Sequence, residues 1–156
     1  MLLNKPANLI RRGLRLLRRD PRSALRLARL SFWVLAASFL VKELPLSRAL
    51  RIISPSGKRP PKLPVIEDKK LSPEESAALL DKLLRIDFWV FTPTCWKRSA
   101  VLHRLLALNG IETRIVFGVR KAGEDVLSGH SWLEVDGRPF LEARPPDYIA
   151  VYVFPD

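Results

Sequence analysis

The chain has 156 residues, 47% hydrophobic and 28% charged, which suits one folded domain with an accessory segment and excludes wholesale disorder. A single cysteine, Cys95, excludes a disulfide framework; with only His103 and His130 besides, no metal centre and no other cofactor are expected, and the protein reads as reduced and intracellular. The net charge of +11 is unevenly placed: residues 1–63 carry 15 basic residues against Asp20 and Glu43, a balance of +13, whereas residues 64–156 carry 12 basic and 14 acidic residues, a balance of −2. The basic part suits an anionic partner, whether nucleic acid, lipid or acidic peptide, and the remainder reads as a near-neutral globular domain.

Residues 8–19 alternate Leu and Ile with Arg at helical spacing and predict a basic amphipathic helix. Asp20-Pro21 interrupts it, and Pro21 suits the first turn of a second helix over residues 22–41. Leu30 to Val41 is uncharged but only twelve residues long, short of the roughly 20 needed to span a bilayer. A buried helix is the first expectation and an interfacial membrane helix with snorkelling arginines the second. A signal peptide comes last, because the apolar run starts far from the N-terminus and no clean small-residue cleavage site follows. Packed on the domain, this segment would hide Phe32, Trp33 and Phe39. It would leave Arg11, Arg12, Arg18 and Arg19 as a surface for peripheral contact with an anionic membrane. The arginines alternate with leucine rather than with stacking aromatics, so no nucleic acid is expected as a partner.

Residues 54–64, with four prolines and a glycine, read as a linker at the charge boundary. Ser72-Pro73-Glu74-Glu75 opens a helix that runs to about Arg85. Residues 86–91 are aromatic and β-branched, a short strand or an extended approach. Thr92-Pro93-Thr94 caps a helix that starts near Cys95 and stops at Asn109-Gly110. Residues 111–120 read as a strand, 128–135 and 138–143 as a hairpin about Asp136-Gly137, and 149–154 as a last strand. The result is α+β, with helices followed by an antiparallel meander.

Cys95 is the only thiol and lies in the first turn of its helix, where unpaired N–H groups and the macrodipole favour negative charge. Lys97 and Arg98 add positive charge nearby, and Ser99, Leu102 and Leu106 share its helix face. A buried structural cysteine is the competing reading. His103 lies about 12 Å along the same helix, too far to act on Cys95, and reads as a surface or boundary residue. His130, on a strand, is the remaining base, against the plainer role of a packing histidine. With a three-residue loop, Val135-Asp136-Gly137, and a bulge at Gly137, Glu134 opposes Arg138, Trp132 opposes Phe140 and His130 opposes Glu142, with Cβ atoms about 5 Å apart. A two-residue loop turns Glu142 to the other face. Asp136 is the competing acid, though its position favours a turn role.

The run C-W-K-R-S-A-V-L-H-R-L-L-A-L-N-G-I-E-T-R-I-V-F-G-V-R, followed by G-H-S-W-L-E-V-D-G-R-P-F-L-E, resembles the transglutaminase-like cysteine peptidases of lasso-peptide biosynthesis, the leader peptidases called B proteins. The resemblance covers roughly residues 85–145. It implies a transglutaminase/papain-like core, with a nucleophile helix packed on an antiparallel sheet over residues 71–156. A basic helical segment (1–53) and a proline-rich linker (54–70) precede that core, and no separate leader-recognition domain is seen in residues 1–70, as in the split form of the enzyme. By motif, Cys95 matches the nucleophile and His130 the base; Glu142 stands where family members often carry Asp. The implied function is removal of the leader from a ribosomally made precursor peptide. The implied partners are that precursor, a small leader-binding protein and an ATP-using macrolactam synthetase. The chain itself has no Gly-rich phosphate loop. The expected location is the cytoplasm, with peripheral contact to the inner face of the membrane as an option. A non-catalytic peptide- or membrane-binding scaffold and a thiol-dependent acyl transferase on the same triad stand as alternatives.

Overall fold

The computed structural model describes residues 20–55, 71–86, 94–123 and 126–155. They form helices α1 (Pro21–Glu43), α2 (Leu46–Ile53), α3 (Pro73–Leu84) and α4 (Cys95–Leu108), and strands β1 (Arg114–Lys121), β2 (Leu127–Val135), β3 (Arg138–Phe140) and β4 (Ile149–Phe154). The expected helix over residues 8–19 with its arginines, the proline-rich linker beyond residue 55 and the aromatic run 87–91 lie outside the described residues. Backbone contacts divide the chain into residues 1–32 and residues 33–156.

Helix α1 opens as its sequence dictates. Asp20 accepts the Ser23 N–H at 3.2 Å and Pro21 occupies the first turn. It continues without a break for 23 residues. By length and composition alone it passes as long and apolar enough to cross a membrane, its most apolar stretch of 18 residues having a mean hydropathy of 1.6. Val34 and Ala37 are fully buried, Ser38 Oγ donates to the Val34 carbonyl at 2.8 Å, and the Arg104 guanidinium lies 3.7 Å over the Trp33 ring. Phe32 and Phe39 are not hidden: they are 60% and 65% exposed. Seven residues apart, they share the helix face away from Val34 and Ala37.

Helix α2 was not anticipated, because Leu44-Pro45 cuts an eight-residue element away from the long helix before it. Ala49, Leu50 and Ile53 recur at helical spacing and are buried. Helix α3 starts in a capping box. Ser72 Oγ accepts the Glu75 N–H at 3.1 Å, and the Glu75 carboxylate accepts the Ser72 N–H at 2.8 Å. Helix α4 is the hub: it packs on α2, α3, β1 and β2 and buries Ala100, Val101, Leu102 and Leu106. It stops at Gly110, whose φ of +82° suits a residue without Cβ.

The strands form one antiparallel sheet in the order β3-β2-β1-β4. Only β1, β2 and β3 follow a meander; β4 returns to the far edge, beside β1, which corrects the expected all-meander order. Strand β3 is three residues long and contains Pro139, which has no N–H to offer a further strand, whereas β1 presents eight residues. Ile115 and Leu133 face each other across the ladder, and both are nearly fully buried. The molecule is thus α+β, with the Cys95-bearing helix packed on an antiparallel sheet.

Candidate active site

Cys95 is the first residue of α4 and is half-buried. The preceding Thr94 sits at the N-cap position but makes no side-chain cap bond, and its Oγ1 is buried without a partner among the described residues. The Thr94 side chain therefore does not take up the first-turn N–H groups of the helix that Cys95 opens. An open cleft of about 270 Å³ adjoins Cys95, lined by Asp81, Leu84, Arg85, Thr94 and Arg98.

Two tethers hold this part of α4, one to the strand that carries His130 and one to α3 and the segment after β3. Ser99, one turn from Cys95, donates to the Ser131 carbonyl at 3.0 Å, and Ser131 Oγ lies 3.3 Å from Ser99 Oγ. Arg98, also one turn from Cys95, donates from Nε to Asp81 at 2.8 Å, from one terminal nitrogen to Glu142 at 3.2 Å and from the other to the Leu141 carbonyl at 3.1 Å. Sequence reasoning had credited Arg98 only with nearby charge. The guanidinium is instead committed to two carboxylates, a role that its place three residues after Cys95 on one helix side made accessible. Lys97 is buried, and burial followed by the nearby Lys42 charge lowers its pKa.

His130 and Glu142 meet: Nε2 lies 3.4 Å from the Glu142 carboxylate, which is also the acceptor for Arg98. The contact arises by a different route from the expected one. The loop has two residues, Asp136 and Gly137, with φ of +51° and +73°, and the pairs are Val135 with Arg138, Glu134 with Pro139 and Leu133 with Phe140. This is the type I′ geometry that Asp-Gly favours, not the bulged loop. It alone would turn Glu142 away, but Leu141 adopts a left-handed φ of +57°, ends the strand and swings the next residue back. Asp136 is exposed in the turn.

The ring of His130 is further confined by Tyr148 and Trp132, at centroid distances of 5.3 and 6.0 Å. Gly118 pairs with His130 across the ladder, and a Cβ there would come within 2.8 Å of both Trp132 and Tyr148. A glycine is required at this point by close approach. Arg120 lies 4.7 Å over the outer ring, Tyr148. Neither Tyr148 nor Gly118 carried a readable signal, since both act through tertiary contact.

No hydrogen bond joins the Cys95 thiol to His130 among the described residues, and His130 does not line the cleft beside Cys95. The geometry thus assembles the His130–Glu142 pair and links it through Arg98 to the helix turn that begins at Cys95. His103 stands apart. It is buried rather than at the surface, with Nδ1 2.7 Å from Thr113 Oγ1 and its ring edge-on to Phe154 at 6.1 Å. The correction has a simple cause: the turn at Asn109-Gly110 folds Thr113 back over the last turns of α4.

Neither a search of curated proteins nor a search of solved structures found a match. The family model described as the transglutaminase-like superfamily matches residues 33–153, and its span takes in α4, the whole sheet as far as Val153 and every residue of the site above. A lone cysteine opening a helix on an antiparallel sheet, a strand histidine and a match over most of the chain lead to one assignment: the chain belongs to the transglutaminase-like superfamily.

Proposed function

We propose that the protein is a cysteine peptidase that removes the leader from a ribosomally synthesised precursor peptide in lasso-peptide maturation. The observation that carries the catalytic reading is the His130–Glu142 contact at 3.4 Å, built by a left-handed residue that has no other evident use. A membership in the transglutaminase-like superfamily is compatible with a cysteine peptidase or an acyl transferase. The likeness of residues 85–145 to the leader peptidases favours the former and supplies the substrate.

In this reading the Cys95 sulfur attacks the scissile carbonyl as His130 takes the thiol proton. His130 then gives that proton to the leaving amine, which departs and leaves a Cys95 thioester. Water, deprotonated by His130, attacks the thioester and releases the leader carboxylate and the free thiol. Glu142 orients His130 and stabilises its charged form, as the third member of such a unit does. The N–H groups at the start of α4, that of Cys95 first, are the donors for the developing oxyanion in this reading, since the Thr94 side chain does not cap them. Closure of the Cys95–His130 distance accompanies substrate binding, since catalytic hydrogen bonds are often long in free enzymes. A leader-binding protein delivers the precursor and an ATP-using macrolactam synthetase consumes the core peptide.

The test is mass spectrometry of a candidate precursor incubated with the protein and a leader-binding partner. Free leader and core, with one water added across the cleaved bond, are the expected products. A leader joined to an added amine assigns acyl transfer. An intact precursor under conditions where it binds assigns a non-catalytic scaffold.

A further inference from the structure

The second half of α1 is docked along one side. Val34 and Ala37 are fully buried, Ser38 is bonded back to Val34, and Trp33 lies under Arg104. Length and hydropathy alone do not make such a helix a span, since core helices of folded domains have the same length and composition. Its other side is nevertheless apolar. Leu35 and Phe39 are 38% and 65% exposed, and helical periodicity puts Leu25 and Phe32, 42% and 60% exposed, on the same face. Single exposed apolar residues are ordinary, but four in line along one helix, two of them phenylalanine, are not.

The charges beside this stripe are mostly basic, with Asp20 at the cap and Glu43 as the acidic exceptions at its two ends. Arg22, Arg26 and Arg29 flank or interrupt it, and Glu43, the only acidic residue of α1, stands at its far end. Residues 1–63 as a whole carry a balance of +13. A narrow apolar line about 20 Å long, from the 1.5 Å rise per residue, matches the plane between headgroups and acyl chains. Arginine stems on either side reach the phosphates. We infer that α1 lies in the plane of an anionic bilayer surface, with Leu25, Phe32, Leu35 and Phe39 inserted and the arginines on the headgroups. This inference stands independently of the peptidase reading.

The full-length protein is sedimented with vesicles of phosphatidylcholine alone, or of equal parts phosphatidylcholine and phosphatidylglycerol, at low and at high salt. Binding is expected to the anionic vesicles and to be released by an alkaline carbonate wash. Phe32→Ser with Phe39→Ser is expected to weaken it about tenfold or more, through loss of two inserted rings. Replacing Arg22, Arg26 and Arg29 by Gln is expected to weaken it at low salt. Phe32, Phe39, Arg22 and Arg29 are exposed and Arg26 is half-buried, and unchanged thermal melting confirms that the variants fold. Undiminished binding by the double phenylalanine variant overturns the inference, as does equal binding to neutral vesicles. Resistance to the carbonate wash overturns it in favour of a span, and absence of binding to either vesicle overturns it in favour of a protein partner.

Discussion

His130 and Glu142 come within 3.4 Å of each other although the hairpin ladder, continued regularly, would keep them on opposite faces. Leu133 pairs with Phe140, so unbroken pairing would set Glu142 against Ser131 and Ala143 against His130. The left-handed backbone of Leu141 ends β3 and reverses that parity. The site depends on a corner that a leucine is poorly suited to make, since a left-handed residue with a Cβ costs about 1–2 kcal/mol.

Leu141 therefore provides a direct test. Leu141→Gly is expected to keep leader cleavage near the wild-type rate, because glycine adopts this φ without strain. Leu141→Val, β-branched and worse there than leucine, is expected to lower cleavage several-fold and to lower the melting temperature by a few degrees. Wild-type rates in Leu141→Val would show that the corner does not present Glu142 to His130.

The carboxylate of Glu142 is shared, and its two partners are separable. Glu142→Gln is expected to lower kcat by about tenfold to a thousandfold through loss of the oriented histidine. Asp136→Asn, in the exposed turn, is expected to change it little. Arg98→Gln is expected to cost stability as well, about 2 kcal/mol, because it strips a charged donor from Asp81 and Glu142 together. A larger effect from Asp136→Asn than from Glu142→Gln in the same peptide assay would make the turn aspartate the orienting group.

Cys95→Ala and His130→Ala are each expected to abolish cleavage with the fold retained, since members of one catalytic unit are not additive. Thermal melting alongside the mass-spectrometric assay separates lost chemistry from lost structure. Residual cleavage by Cys95→Ala would end the thiol mechanism.

Gly118→Ala probes the support behind His130. Its new Cβ would meet Trp132 and Tyr148 at 2.8 Å, and the Tyr148 neighbour is its own Cβ, which no rotamer change moves. The expected result is a loss of about 1–3 kcal/mol of stability and a displaced His130 ring, read as a lowered kcat at unchanged oligomeric state. A wild-type kcat would show that Tyr148 and Trp132 merely pack there.

Much of this was legible because its signals are local. The capping box at Ser72, the Asn109-Gly110 stop and the six residues of β4 each carry their own turn or periodicity marks. The hairpin was legible but its register was not: Asp136-Gly137 serves a two-residue loop and a bulged three-residue one equally, and only the left-handed φ of Asp136 decides. Leu141 gives no warning of a left-handed corner, so the route by which Glu142 reaches His130 was hidden. The place of β4 beside β1 is a matter of which strand edge remains open, which no local pattern encodes. Arg98 was misread for a related reason, since its carboxylate partners come from α3 and from beyond β3.

His103, which the site does not use, sets an acid limit on the fold. It is 6% exposed and its pKa is pushed down from 6.5 to about 4 by burial, opposed by a hydrogen bond to the Thr113 backbone. The unfolded chain takes up a proton near pH 6.5, while the folded one resists until about pH 4. Between those values the unfolded state binds more protons, so stability falls as the pH drops through this window and the loss from His103 levels off below it. At about 1.4 kcal/mol per unit the loss amounts to about 3 kcal/mol, most of it gone by about pH 4.5. Urea unfolding at neutral pH and near pH 4.5 measures it. His103→Gln, neutral throughout, is expected to lose distinctly less stability than the wild type between the two conditions, and to cleave within a few-fold of the wild-type rate at neutral pH. Equal losses in the two proteins would show that the imidazole is protonated in the folded state, and that Thr113 Oγ1 serves as acceptor for a charged ring.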